Sequence, residues 1–359
     1  MKRFGMTFII AALTLILLIG QVAWAETGIN QDELFTSQDM QQSADRNEAE
    51  PIELADGQDI LIEAGGSWIL SGSASNVTIR VDAGEDAEVR LFLDEVNISN
   101  QDLPCIYVEK AGKLIVTLSG DNMLAVRKDF QKKTPVKANG VIYSRSDLTL
   151  NGDGSLTISS PKNGIVCRDR LRITGGNYTI NADSKAIAAD NAIWISDGSF
   201  LLTAESDGLH AENEDIAREG SVFIGGGNFE IYADDDAIHG QSLVQIESGT
   251  ITIYAAEGLE STWVLINGGT LDIHAEGDGI NAGWKNDIDR PRLEINGGQV
   301  SVVMSGEDTD AIDSNADLII TGGVIELIGS GFDYEGNLEF SGGKVIINGN
   351  EVTSIMNQN

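Results

Sequence analysis

Apolar and polar positions alternate along most of the chain, and glycine interrupts the alternation at regular intervals. Eight Gly-containing pairs recur about every 20 to 22 residues, with longer steps at the polar insertions 213–220 and 284–292. The pairs are Gly175-Gly176, Asp197-Gly198, Gly226-Gly227, Ser248-Gly249, Gly268-Gly269, Gly297-Gly298, Gly322-Gly323 and Gly342-Gly343. A period of two on both sides of each pair predicts strands that have one buried face.

A third short apolar element follows each pair of strands, marked by residues such as Ile187, Leu209 and Ile238. Two or three short strands per repeat, similar from turn to turn, predict a coil in which equivalent strands stack in parallel. The predicted fold is all-β, a right-handed single-stranded parallel β-helix over residues 51–359, in which residues 51–160 form an N-terminal cap and the early turns. A β-propeller would need a period nearer ~40 residues.

The N-terminus has the features of a secretory signal. Lys2 and Arg3 precede an apolar run, and Ala23-Trp24-Ala25 fits the small-x-small cleavage pattern, which predicts residues 1–25 as a signal peptide. An uncleaved anchor helix is the alternative, although the apolar run is short for a membrane span. Residues 26–50 are acidic and without period, and they are predicted to be a flexible leader. We therefore expect a secreted protein, extracellular or associated with the cell surface.

The charge of the chain narrows the choice of partners. It has 56 acidic and 23 basic residues, a formal net charge of −33, which would repel nucleic acid and anionic membrane surfaces. A basic stretch within residues 110–185 either contacts an anionic ligand or forms salt bridges to the acidic leader. Cys105 and Cys167 fall two or three turns of the coil apart, too far for a disulfide, and are predicted to be separate thiols.

Two columns of carboxylates recur on the outside of the predicted coil, where residues at one repeat position stack ~4.8 Å apart. The first column lies just before the third apolar element: Asp207, Asp236, Glu257, Asp278 and Asp310. The second lies two residues earlier, on the same side of an extended chain: Glu205, Asp234, Glu276 and Asp308. These paired carboxylates predict binding of Ca²⁺, which accepts several carboxylate oxygens and relieves their repulsion. A solvated acidic face is the alternative.

Two further outward columns accompany the carboxylates. Three residues after the first column come His210, His239, Glu260, Asn281 and Asp313. The two histidines are predicted to be hydrogen-bonding turn residues rather than metal ligands. Tyr232, Tyr254 and His274 form a column beside the second set of carboxylates. Such rings can bind sugars through an apolar face and a hydroxyl, or they can pack on one another between adjacent turns. The sequence contains no recognisable catalytic triad or phosphate-binding loop, and no catalytic residue is predicted.

Two stretches resemble a known family. The segment ILIEAGGSWILSGSASNVTIRVDAGEDAEVRLFLDEVNIS, which begins at Ile60, and the later runs SDGLHAEN, DDAIHG and GDGINA are similar to a bacterial family of secreted carbohydrate-binding domains. The resemblance covers about residues 52–350 and implies a pectate-lyase-like β-helix. It also implies binding of calcium and of acidic polysaccharides such as polygalacturonate, without clear lyase activity. The implied calcium ligands are Asp207, Asp236, Asp278 and Asp310, whereas Glu257 departs from the aspartate pattern.

Together these features predict a secreted, calcium-dependent, non-catalytic protein that binds an acidic polysaccharide. One alternative is a calcium-dependent polysaccharide lyase of the same fold, with Lys162 or Lys185 as the base. Another is a structural surface or adhesion protein in which calcium only stabilises the fold.

Overall fold

The chain forms a parallel β-helix, which confirms the fold expected from the alternation. The computed structural model describes residues 28–130, 137–213, 215–216, 218–306 and 309–356. These residues form 34 strands and a short 3-10 helix, Gln31–Glu33. No helix among them is long and apolar enough to cross a membrane. The predicted signal peptide, residues 1–25, lies outside the described residues.

Each turn of the coil, here called a rung, contributes strands to three parallel sheets. The chain passes from the first sheet through the glycine bend to the second sheet, and then to the third. The first sheet contains Glu50–Glu53, Lys113–Ser119, Asp147–Gly152, Arg170–Ile173, Ala192–Ile195, Ser221–Ile224, Arg292–Ile295, Asp317–Ile320 and Leu338–Phe340. The second contains Asp121–Val126, Ser155–Ser160, Asn177–Ala182, Ser199–Ala204, Asn228–Ala233, Thr250–Ala255, Thr270–Ala275, Gln299–Met304, Val324–Ile328 and Lys344–Ile347. The third contains Ile60–Ile62, Ile79–Asp82, Ile106–Lys110, Gly140–Ser144, Asn163–Cys167, Ile187–Ala189, Leu209–Ala211, Ile280–Ala282, Ile312–Ser314 and Phe332–Tyr334.

Four long strands belong to two sheets each, and one strand closes the end of the coil. Gly66–Ser75 and Glu88–Asn100 continue from the first sheet into the second, while Asp236–Ile246 and Glu257–Ile266 continue from the third into the first. The last strand, Asn350–Val352, turns back and pairs antiparallel with Lys344–Ile347. The other pairings are parallel and extend through the early rungs, which are therefore part of the same coil.

Glycine at the bend between the first and second sheets has a backbone requirement. The second residue of all eight pairs is glycine with φ between 84° and 140°, a region that a Cβ makes costly. The first position lacks this requirement and accepts Asp197 and Ser248. The glycine repeat in the sequence therefore arises because each of these bends contains one residue with positive φ.

The interior of the coil is filled by stacked side chains of equivalent positions. Tyr178, Phe200 and Phe229 stack with ring centroids 5.1 and 4.5 Å apart, and aliphatic residues continue this column in both directions. Cys105 and Cys167 are both buried and free, so the prediction of two separate thiols is confirmed. A continuous apolar core therefore fixes which residues of each strand point outward.

Residues 28–49, here called the strap, differ from the predicted flexible leader because they pack on the outside of the first sheet. Ile29 and Leu34 are buried with outward apolar residues of that sheet, among them Trp194 and Phe223. Further along, the fully buried Asp39 forms an ion pair with Lys113 at 2.5 Å. The leader was predicted from its own polar composition, whereas its order comes from apolar and cationic partners that the first sheet presents to it.

Candidate functional site

Two rows of polar side chains run along the third sheet, where it follows the bend from the second. The first column of the sequence analysis is one row, and its members Asp236 and Glu257 are direct register partners. The other row, here called the facing row, consists of register partners on six successive rungs: His210, His239, Glu260, Asn281, Asp313 and Asp333. All of these except Asp333 were predicted from the sequence. The short strand of Asp333, Phe332–Tyr334, follows the last third element recognised there.

At the N-terminal end of the rows the negative charge is neutralised by the chain itself. Asp207 is 2% exposed, and its Oδ2 lies 2.6 Å from His210 Nδ1 and forms an ion pair with Lys185. Burial alone would raise the pKa of Asp207, but hydrogen bonds from His210 and Lys185 hold it below its usual range. This predicted calcium ligand therefore already has cationic partners.

The next rungs form a second balanced cluster around His239. Its Nδ1 lies 2.9 Å from Asp236 Oδ2 and 2.9 Å from Glu260 Oε2, and Lys285 forms an ion pair with Glu260. Burial lowers the pKa of His239, but the two carboxylates outweigh burial and raise it to about 9. The pKa of Glu260 falls to about 2, against the effect of burial, because His239 and Lys285 stabilise its anion. His239 is thus an imidazolium that joins two carboxylates at neutral pH.

At the C-terminal end the carboxylates have no such partners. Glu257, Asp278, Asp310, Asp313 and Asp333, here called the acidic cluster, form no ion pair with a basic side chain within the described part of the chain. Burial and the neighbouring carboxylates raise the pKa of Glu257 to about 7 and that of Asp313 to about 7. The cluster is therefore a site of uncompensated negative charge.

Buried oxygens in and beside the acidic cluster also lack hydrogen-bond partners. They are Glu257 Oε2, Asn281 Oδ1 and Asp333 Oδ1. Buried polar atoms are nearly always partnered, by protein, water or an ion. A set made only of carboxylate and amide oxygens matches the ligand preference of Ca²⁺. Asp207 and Asp236 differ from these residues because they already have cationic partners.

The second predicted column of carboxylates lies apart from these rows. Glu205, Asp234 and Glu276 are exposed, and Asp308 lies outside the described residues. The residue that approaches Asp207 and Asp236 is Asp235, since their ligand atoms lie within 4.8 Å of one another. Asp235 was not predicted, because an extended chain would alternate here, whereas residues 234–235 form a bend in which alternation fails.

The predicted sugar-binding column lies on the outer face of the second sheet. Tyr232 and Tyr254 stack with centroids 5.1 Å apart, and Tyr254 and His274 with centroids 4.7 Å apart. The two tyrosines are 39% and 41% exposed. Because the rings are stacked face to face along the coil, they offer a ligand mainly their edges and hydroxyls. These rings therefore pack on one another between adjacent turns, which is the second of the two interpretations given for them above. A sugar could contact their edges and hydroxyls without stacking between them.

Several basic side chains of residues 110–185 form ion pairs with carboxylates of the same chain. Arg168 pairs with Asp190, Arg170 with Glu219 and Arg172 with Asp147, each at 2.9 Å. The amine of Lys185 contacts both Asp207 and His210. These contacts favour the salt-bridge interpretation over an anion-binding surface. Most of the partners lie on the coil, and Asp39, the partner of Lys113, lies in the leader.

Comparisons with known proteins agree with this architecture. The family whose model matches is described as carbohydrate-binding domain-containing protein, with matches over residues 56–264 and 261–355. A protein of Acetivibrio thermocellus with the same description is 37% identical over 125 residues, which are 33% of this chain and 44% of the relative. The match thus spans less than half of that curated relative. A solved structure, described as the polysaccharide lyase-like protein from C. thermocellum in a gadolinium derivative, is similar at 31% identity with a TM-score of 0.56. It covers 62% of this chain and 96% of its own.

Proposed function

This chain belongs to the family of carbohydrate-binding domain-containing proteins, and we propose that it binds an acidic polysaccharide of the polygalacturonate class through calcium ions held at the acidic cluster. The observation that carries the proposal is the run of stacked carboxylates without cationic partners among the described residues, in which the pKa values of Glu257, Asp310 and Asp313 are raised. Neighbouring buried oxygens without partners support the same site.

Repulsion within the cluster gives calcium its role in the protein. Two unit charges on rungs ~4.8 Å apart repel by about 3.5 kcal/mol at an effective dielectric of 20. A Ca²⁺ ion replaces that repulsion by attraction, and its flexible coordination tolerates ligands from Asp278, Asp310 and Asp313 on neighbouring rungs. Asn281 adds an amide oxygen on the rung between Glu257 and Asp313.

The same ions would connect the protein to its ligand. A chain with a net charge of −33 repels a polyuronate unless cations lie between them. Ca²⁺ at the rim of the cluster can accept uronate oxygens in its remaining coordination positions. Binding would then require the ion and the carboxylates together. The proposed setting is extracellular, in line with the predicted signal peptide, residues 1–25.

Contacts of the candidate base favour binding over lyase chemistry. β-Elimination would need an amine free to take the proton from the uronate carbon. Lys185 is engaged by Asp207 and His210. Lys162 is exposed, but it lies four rungs before Glu257 of the acidic cluster, which is about 19 Å at ~4.8 Å per rung. We therefore propose a non-catalytic protein.

Retention on insoluble polygalacturonate, in calcium and in chelator, tests the proposal. The wild-type protein should be retained in calcium and released by chelator. The double variant Asp278→Asn with Asp313→Asn should lose retention in calcium. Asp153→Asn is the matched control, since Asp153 is an exposed aspartate far along the coil from the cluster, and it should behave as wild type. Retention of the double variant, or retention of the wild type in chelator, would show that calcium bridging is wrong.

A further inference from the structure

The two histidines of the facing row form an arrangement that the calcium proposal does not use. His210 and His239 are register partners on adjacent rungs, and their rings stack with centroids 4.7 Å apart and an angle of 15°. His210 Nδ1 lies 2.6 Å from Asp207 Oδ2, and His239 Nδ1 lies 2.9 Å from Asp236 Oδ2. Because Nδ1 of each ring faces a buried carboxylate, Nε2 of each ring faces away from it.

A third donor lies beside the outward ring nitrogens. Glu212 Oε2 is 3.1 Å from His210 Nε2, and the ligand atoms of His210, Glu212 and His239 lie within 4.8 Å of one another. Zinc binds imidazole nitrogen and carboxylate oxygen at about 2.0–2.2 Å. Donors up to 4.8 Å apart can therefore reach one ion after small rotations of the rings and of the Glu212 side chain.

We propose that His210, His239 and Glu212 form a site for Zn²⁺ or a similar borderline divalent ion, separate from the acidic cluster. Two imidazoles and one carboxylate suit zinc, whereas Ca²⁺ prefers a shell of oxygens. The site would leave one coordination position open to water or to an oxygen of a bound glycan.

The surroundings of the histidines are those of a supported metal site. Metal-binding histidines usually donate the other ring N–H to a carboxylate, which fixes the tautomer and the ring orientation. Asp207 and Asp236 provide this support from buried positions. Zinc would replace a proton on Nε2 of His239, and its charge would be stabilised by the same carboxylates that face the ring.

Exposure of the three ligands is graded. The side chains of His210 and His239 are 14% and 11% exposed, while that of Glu212 is 49% exposed. The two histidines are thus held in place by packing in the coil, whereas the exposed side chain of Glu212 can rotate to bind an entering ion.

A hydrogen-bond relay is the competing explanation. Lys185 Nζ lies 2.7 Å from His210 Nδ1, so His210 could accept there and donate from Nε2 to Glu212. In that case the proton on His210 Nε2 would be held by Glu212, zinc would not displace it, and the wild type would retain no zinc at this site.

Equilibrium dialysis of the full chain against Zn²⁺ in excess Ca²⁺, after chelator treatment, tests the site. The wild type should retain one zinc per chain. His210→Ala and His239→Ala should abolish retention, and Glu212→Gln should weaken it by at least about tenfold, comparable to the loss of a supporting ligand. The Co²⁺ form should show the visible absorption of a low-coordinate site, and this absorption should disappear with His239→Ala.

The chain provides its own control histidine. It has three His residues, and the third, His274, lies on the second sheet against Tyr254. His274→Ala should therefore retain zinc. The double variant Asp278→Asn with Asp313→Asn should also retain it, even if polysaccharide binding is lost, which separates this site from the proposed function. Equal loss of zinc with His274→Ala, displacement of zinc by calcium, or full affinity in the exposed and fold-neutral Glu212→Gln variant would overturn the proposal.

Discussion

Replacing Asp313 by Asn should stabilise the calcium-free protein, although the change removes a charged side chain from the proposed calcium site. Burial and the negative charges of Asp278, Asp333 and Asp310 raise the pKa of Asp313 from 3.8 to about 7. Each unit corresponds to 1.36 kcal/mol, so ionising this carboxyl in the fold costs about 4 kcal/mol more than in the unfolded chain. Partial exposure allows water and salt to screen part of this cost, which makes the figure an upper bound.

Asparagine should preserve the local geometry while removing the repulsion. It has the shape of aspartate, and its amide oxygen can still accept the hydrogen bond that Asn315 Nδ2 donates to Asp313 Oδ2 at 3.3 Å. At pH 8, where Asp313 is ionised, the variant should therefore unfold at higher denaturant concentration than the wild type in chelator. Asp153→Asn, on an exposed aspartate, should leave the midpoint unchanged.

Calcium should narrow the difference in stability between the two proteins. An ion present at a hundredfold excess over its Kd stabilises the fold that binds it by about 2.7 kcal/mol. The wild type should gain this stabilisation, whereas Asp313→Asn should gain less because it has lost a ligand. Urea unfolding at pH 8 with calcium and with chelator measures both differences. A lower midpoint for Asp313→Asn in chelator would refute the inference that this carboxyl is held under repulsion.

Three further predictions concern pH, the strap and the bends. The pKa values of Glu257 and Asp313 are raised in the fold, so the native state binds more protons than the unfolded chain does. The stability of the calcium-free protein should therefore fall as pH rises from about 4.5 to about 7. Thermal melts across this range measure the trend, and rising stability would contradict the prediction. Asp39→Ala leaves the partly buried Lys113 without its anion, so the free energy of unfolding should fall by about 3 to 5 kcal/mol and residues 28–49 should become sensitive to protease. Unchanged digestion would count against a packed strap. Gly249→Ala places a Cβ on a residue with φ 111° and 2.9 Å from a backbone oxygen, so its thermal midpoint should drop, whereas that of Ser248→Ala should not.

The coil could be predicted because its signals are local. Alternation such as that of Ser199–Ala204, in which every second residue is buried, and one glycine with positive φ per rung both repeat along the chain. The strap could not be predicted in the same way. Its partners, such as Trp194 and Phe223, lie at outward positions of strands that are buried on both faces. Alternation cannot tell which of two buried faces is covered by a distant segment.

The rows of the candidate site could be aligned from the sequence, but their charge balance could not. Lys185 occupies the rung before Asp207 at the equivalent position, two residues before the third apolar element, so this pair was within reach of the alignment. Lys285 was not, because it comes from the insertion 284–292 and its path over Glu260 depends on how that loop folds. Conformation, rather than residue type, decides which carboxylates keep their charge uncompensated.

This division of charge distinguishes the calcium interpretation from a solvated acidic face. On a solvated face, carboxylates would point into water, their pKa values would stay near those of free acids, and no oxygen would be buried without a partner. Glu205 and Asp234 meet the first condition, since both are exposed. Glu257 meets none of the three: it is partly buried, its pKa is raised to about 7, and its Oε2 has no partner. Solvated carboxylates and carboxylates under repulsion are therefore both present on this coil, on different columns, and the calcium site is proposed only for the row on the third sheet.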